Sequence, residues 1–339
     1  MRMVFLVALV IPAAALFGQT PPPTPKKVPR PAAPRATIAP DIADYQYAGD
    51  SSRQKFDLYL AQSDAPTPLL LMIHGGGWKS GDKSSYASQV KPYLDSGISV
   101  AAINYRFIDH AMQQGVEPPV KACVEDAARA LQTLRAKARE WNIDKSRVAA
   151  TGGSAGACTS LWLALHNDLA DPQSADPIAR ESTRLLCVAV NGAQTSLDPK
   201  ELREWMPNAI YGGHAFGFAA PGRSRAEEFD LLIANREKVL PWIEEYSPIR
   251  LVSADDPPVY LHYPNQKAAP EFGKPEADPT HSALQGIALA EKLTAAGVPA
   301  IVNFPQKPDT QYRSIAAFLK AHLSPPTSPP AASSTEGSK

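Results

Sequence analysis

Residues 148–157 read Val148-Ala149-Ala150-Thr151-Gly152-Gly153-Ser154-Ala155-Gly156-Ala157. An apolar run breaks into Gly-x-Ser-x-Gly and resumes as a helix-like segment, so the stretch predicts a strand, a sharp turn carrying Ser154, and a helix: a nucleophile elbow. A serine hydroxyl is a poor nucleophile unless a base can take its proton and amide donors can receive the developing oxyanion. The strained turn holds the hydroxyl in place, and Gly152 and Gly156 leave room for strand and helix to pack closely. A glycine-rich turn without chemistry has the same five-residue pattern, so the motif needs a companion.

The companion lies about eighty residues upstream, where Leu69-Leu70-Leu71-Met72-Ile73 runs into His74-Gly75-Gly76-Gly77-Trp78, the oxyanion-hole loop of esterases and lipases. Its glycines let the backbone turn N–H groups of Gly75 and Gly76 toward a substrate oxygen. The N–H of Ala155, after the serine, completes the set. His74 reads as a buttress of this loop rather than a base, because the base in this architecture comes last in chain order.

On these residues the chain resembles the α/β-hydrolase superfamily, and within it the carboxylesterase and hormone-sensitive-lipase-like group that includes bacterial acetyl and feruloyl esterases. The likeness runs from Tyr45 to His322. It is carried by Arg53 to Leu60, His74 to Trp78, Asn104-Tyr105-Arg106, the helix of Asp126 leading to Asn142 through Arg147, and Gly152 to Gly156. It implies an α/β fold with a mostly parallel central sheet, helices on both faces and a small cap insertion. It also implies acyl-enzyme chemistry with Ser154 as nucleophile, a small-molecule or polysaccharide-linked ester as substrate, and no cofactor.

The resemblance places the acid near the strand Pro258 to Tyr263, but Pro264 to Ala277 intervenes; counting back from the helix at Ala288 to Leu293 puts Asp278 at the acid's position. Asp278 before Pro279 is also a good helix-start residue. Asp255 and Asp256 precede the strand and are weaker competitors. After the last strand, Ala300 to Phe304, relatives carry the catalytic His, whereas this chain reads Pro305 through Tyr312 with no His. His281 is the leading replacement, because the acid loop lies beside the loop that normally bears the base; His214 and His110 are remoter candidates. Two readings follow: a serine esterase with a displaced base, or a non-hydrolytic relative that keeps the pocket for binding.

Lys plus Arg and Asp plus Glu balance at 34 each, which argues for no nucleic-acid partner. Residues 1–18 have a short positive start and an apolar stretch too brief to span a membrane comfortably, so they read as a signal peptide, with an uncleaved anchor as the competing reading. The expectation is a secreted or periplasmic protein without a membrane span after cleavage. Residues 19–40 form a Pro-rich linker, 41–323 the hydrolase domain and 324–339 a disordered tail. Cys123, Cys158 and Cys187 suggest buried thiols, a Cys158–Cys187 bridge being the alternative; no His or Cys spacing resembles a metal site.

Strand and helix signals alternate between the motifs. Phe56, Leu58 and Leu60 predict an early edge strand, and Tyr86 to Leu94 a helix. Val124, Ala128, Leu131, Leu134, Ala138 and Trp141 recur at helical spacing as an apolar stripe. Residues 196–246 read as the cap, whose aromatics, Phe216 and Phe218 foremost, are expected with Trp78 to line the substrate pocket.

Overall fold

The computed structural model describes residues 37–49 and 51–324. The signal-peptide reading and most of the linker and tail readings lie outside them. In chain order the elements are β1 (Ile42–Gln46), β2 (Lys55–Tyr59), β3 (Thr67–Ile73), α1 (Lys91–Leu94), β4 (Ser99–Ile103), α2 (Ile108–Gln113), α3 (Pro119–Ala136), β5 (Ile143–Gly153) and α4 (Ala155–Leu165). There follow β6 (Cys187–Asn191), α5 (Pro199–Trp205), α6 (Arg225–Ala234), α7 (Arg236–Tyr246), β7 (Val259–His262), α8 (Ala283–Ala295), β8 (Ala300–Asn303) and α9 (Ile315–Leu323).

Among the described residues eight strands form one sheet in the order β1-β2-β4-β3-β5-β6-β7-β8. β1 and β2 pair antiparallel, as do β2 and β4; every other pairing is parallel. All seven residues of β3 are buried. Such a strand must be covered on both faces, because successive side chains point to opposite sides. Leu69, Leu71 and Ile73 join the core formed with α3, α4 and α8, while Leu70 and Met72 join the core under α1 and α9. Each fully buried leucine contributes roughly 1.5–3 kcal/mol relative to exposure.

Three expectations are corrected. β2 is not the edge: β1 lies outside it, and Asp57 is buried in β2 because Lys83 Nζ donates to it at 2.7 Å. The helix expected over Tyr86 to Leu94 is a 3-10 turn at Lys83–Tyr86 followed by the single turn α1. The stripe ending at Trp141 outlasts its helix, since α3 stops at Ala136, yet Ala138 and Trp141 remain in the core. All three cysteines are free and buried, so the alternative Cys158–Cys187 bridge is absent.

Candidate active site

Ser154 sits between β5 and α4 with φ 54° and ψ −124°, a left-handed φ costing a non-glycine residue on the order of 1–3 kcal/mol. Close packing enforces it. A Cβ on Gly152 would lie 2.5 Å from the Gly156 carbonyl, and one on Gly156 would run into the Ile73 carbonyl oxygen. With strand and helix in contact, the joining residue has only this turn available, and Ser154 is left half-buried at its apex.

The loop after β3 is held over the serine by a polar network. Arg53 donates from Nη2 to His74 Nε2 at 3.0 Å; a guanidinium only donates, so His74 carries its proton on Nδ1 and donates it to the Gly75 carbonyl at 2.8 Å. Tyr105 donates its hydroxyl proton to the His74 carbonyl at 2.8 Å, and Arg53 also reaches Asp82 and the Gly81 carbonyl. Asp126, 2% exposed, pins Arg106 through both carboxylate oxygens and accepts from Gln54, which anchors the Asn104-Tyr105-Arg106 segment to α3. A Cβ on Gly75 would stand 2.5 Å from the Gly153 carbonyl oxygen and 3.4 Å from Ser154 Cβ, so only a glycine backbone fits this close to Ser154. The N–H groups of Gly75, Gly76 and Ala155 have no protein acceptor among the described residues; Ala155, as the first residue of α4, has none within its helix by geometry.

His281 lies on a 3-10 turn, Pro279–His281, just before α8. Its Nε2 is 3.0 Å from Ser154 Oγ and its Nδ1 is 2.8 Å from Asp278 Oδ2. A carboxylate accepts, so the imidazole donates from Nδ1 to Asp278, and Nε2 is the acceptor for the serine proton. Asp278 also caps the turn, its other oxygen accepting from the His281 amide at 3.3 Å. The residues expected as acid and base thus stand three residues apart on one turn, where the resemblance implied two loops. They are brought to the serine by the parallel pairing of β5, β6 and β7, whose carboxyl ends share one edge.

Other sequence candidates lie elsewhere. Asp255 pairs with Arg184, Asp256 accepts from Ser253, and His110 accepts from the Phe107 amide. His214 is buried against Trp78 and Tyr211, its Nε2 without a partner among the described residues. Trp78 is also misassigned as a pocket residue: it is 0% exposed and donates from Nε1 to Thr159 beneath α4. Phe216 and Phe218 line a separate cavity of about 380 Å³ with Met112, Val239 and Trp242, not the serine's cleft. That cleft, about 360 Å³, is lined by Gly75, Tyr86, Gln89, Ser154, Asn265 and His281 among others, none from residues 196–246. Beside it the insertion after β7 encloses about 170 Å³ more, with Asn265 and His281 shared by both spaces.

Burial first, and then the nearby positive charge of Arg53 for His74 and of Arg225 and Lys79 for His214, holds these two imidazoles down, to about 4 and about 3. Both folded values lie below the unfolded value of about 6.5, so the unfolded chain takes up these protons first. The stability each contributes is fully present above about pH 6.5 and is lost as pH falls toward the folded value. His214→Leu is therefore expected to remove a penalty on the order of 2 kcal/mol at pH 5 and almost none of it at pH 7.5. Urea melts of wild type and variant at both pH values measure the difference, and equal pH slopes would count against the assignment.

With this geometry in hand, the chain's matches have a structural meaning. Residues 56–267, well over half of the chain, match the BD-FAE family. The chain belongs to that family. It is 32% identical over 127 residues to carboxylic ester hydrolase LipN of Mycobacterium tuberculosis, covering 37% of this chain and 32% of LipN. It is 26% identical over 138 residues to a probable isoprenylcysteine alpha-carbonyl methylesterase, ICMEL1, of Arabidopsis thaliana, covering 40% of this chain and 28% of that protein. The chain thus spans about a third or less of these relatives' length. Among solved structures, a truncated carbohydrate esterase from gut microbiota aligns with TM-score 0.60 and 20% identity over 86% of this chain and 98% of that one. An acetyl ester-xyloside bifunctional hydrolase from Caldicellulosiruptor lactoaceticus aligns with TM-score 0.56 and 21% identity over 81% and 88%. These likenesses show an α/β-hydrolase fold in this BD-FAE protein, and among its described residues no helix is long and apolar enough to cross a membrane.

Proposed function

We propose that this BD-FAE protein is a serine carboxylesterase that cleaves short-chain esters of polar alcohols, acetyl groups on carbohydrate being the leading case, after export from the cell. The observation that carries the reading is the continuous hydrogen-bonded run Ser154–His281–Asp278 beneath the unpaired amides of Gly75, Gly76 and Ala155. Ser154 Oγ attacks the ester carbonyl as His281 Nε2 takes its proton; the amides receive the oxyanion. His281 then returns the proton to the leaving alcohol, and water, deprotonated by the same nitrogen, releases the acid. Asp278 holds the imidazole in the tautomer this needs.

The short acyl group and polar alcohol are favoured by the lining of the cleft, where Ser85, Gln89, Asn191 and Asn265 stand around the serine with Tyr86 and Tyr263 as its aromatics, while Phe216, Phe218 and Trp242 surround another cavity. The neighbouring structures named for carbohydrate and acetyl esters agree with this choice. Export rests on the sequence of residues 1–18. The test is hydrolysis of p-nitrophenyl acetate, butyrate and octanoate, methyl ferulate and acetylated xylan by wild type and Ser154→Ala. Ser154-dependent turnover that falls from acetate to octanoate is expected. A preference for octanoate or ferulate would overturn the substrate class, and no Ser154-dependent turnover on any ester would favour the binding-protein reading.

A further inference from the structure

We propose that Gln194, three residues beyond the end of β6 at Asn191, is the positioning residue for the base, clasping the two walls between which the His281 imidazole stands; this rests on the esterase reading above. One wall is Gly192, whose φ is +57° and whose added Cβ would lie 3.3 Å from His281 Cδ2 and 3.5 Å from its Cβ. The imidazole therefore packs directly on the Gly192 backbone. The other wall is the Pro279–His281 turn that carries the base. Gln194, 0% exposed, donates from the single nitrogen Nε2 to the Gly192 carbonyl at 3.1 Å and to the Thr280 carbonyl at 2.9 Å. Both acceptors are carbonyls, so the amide orientation is settled by chemistry: only the NH₂ end fits there.

A second buried glutamine completes the arrangement. Gln285, 1% exposed, donates to the same Thr280 carbonyl at 3.2 Å and accepts from the Thr195 amide at 2.9 Å, so Thr280 has both lone pairs engaged. The Gln194 orientation has a cost, because its Oε1 is buried with no partner among the described residues. A glutamine kept for packing alone would be replaced without loss by an apolar residue of the same length, which would remove that orphan acceptor. What an apolar residue cannot do is tie Gly192 to Thr280. The tie matters because the base here sits on a three-residue turn in a half-exposed loop, and proton transfer depends on Nε2 staying within hydrogen-bond reach of the serine.

Gln194→Met tests this with volume nearly conserved, and Gln132→Met is the matched control: Gln132 is also buried and donates to two loop carbonyls, those of Ala179 and Glu181, away from the cleft. Loss of the clasp lets the imidazole shift, and a displacement of about 1 Å can cost on the order of 100-fold in rate. Gln194→Met is expected to lower kcat for p-nitrophenyl acetate about 10- to 100-fold with KM within about twofold, whereas Gln132→Met changes neither. Independently of turnover, long-range ¹H–¹⁵N spectra of His281 should show one Nδ1–H tautomer in wild type and in Gln132→Met, and an averaged mixture in Gln194→Met. An unaltered His281 spectrum or an unaltered kcat in folded Gln194→Met would overturn the proposal, as would an equal loss of kcat in Gln132→Met. A wild type without Ser154-dependent turnover would refute the esterase reading instead, and the tautomer spectra would then decide the clasp alone.

Discussion

His281→Ala should lose at least about 10³-fold in kcat on p-nitrophenyl acetate, nearly as much as Ser154→Ala, and combining the two should cost little more. The reason is the single hydrogen-bonded run at Ser154, His281 and Asp278: in the proposed mechanism nucleophile and base act as one unit, so removing either removes both functions. Fluorophosphonate labelling of Ser154 should fail in each variant. His214→Leu, His110→Ala and wild type should label alike, since neither residue lines the cleft. Activity surviving in His281→Ala but not in Ser154→Ala would mean that another acceptor takes the serine proton.

Gly156→Ala is the substitution expected to damage the fold most. The new methyl would overlap the Ile73 carbonyl oxygen and lie 2.6 Å from that of His74, both fixed at the end of β3. Backbone cannot swing aside as a side chain can, so α4 must separate from the sheet, and a loss of more than about 3 kcal/mol is expected, comparable to the larger core defects. Gly97→Ala and Gly297→Ala provide the contrast. Their Cβ atoms meet nothing within 4 Å, and only their positive φ values of 72° and 82° are strained, costing about 1–2 kcal/mol. Urea melts of the three variants separate crowding from strain, and Gly156→Ala no worse than the other two would contradict the contact geometry.

The parts of the site that could be read from the chain are those whose chemistry is local. Gly-x-Ser-x-Gly and His74-Gly75-Gly76-Gly77 require glycine at adjacent positions because backbone crosses backbone there, and that requirement is written in consecutive letters. The burial of β3 was legible for a similar reason over Leu69 to Ile73, as five apolar residues in a row have no solvent face, while Thr67 and Pro68 joined the strand only in the structure. β1 was missed because Ile42–Gln46 is mostly exposed and has little hydrophobic period to detect. Trp78, Phe216 and Phe218 were assigned to the pocket from residue type alone, and an aromatic ring is equally suited to core and to cleft.

What the sequence determined by itself, then, was the class of the sheet, the turn that presents Ser154 and the loop that faces it, since each follows from propensity, period and glycine placement within a few residues. Tertiary structure decided which imidazole meets the serine, which aromatics face the cleft, and how Gln194 joins Gly192 to Thr280. Ser154 and His281 are 127 residues apart and Gln194 and Thr280 are 86 apart. Contacts at such separations are set by strand order and by the lengths of the connections between strands, and no local pattern of residues encodes them.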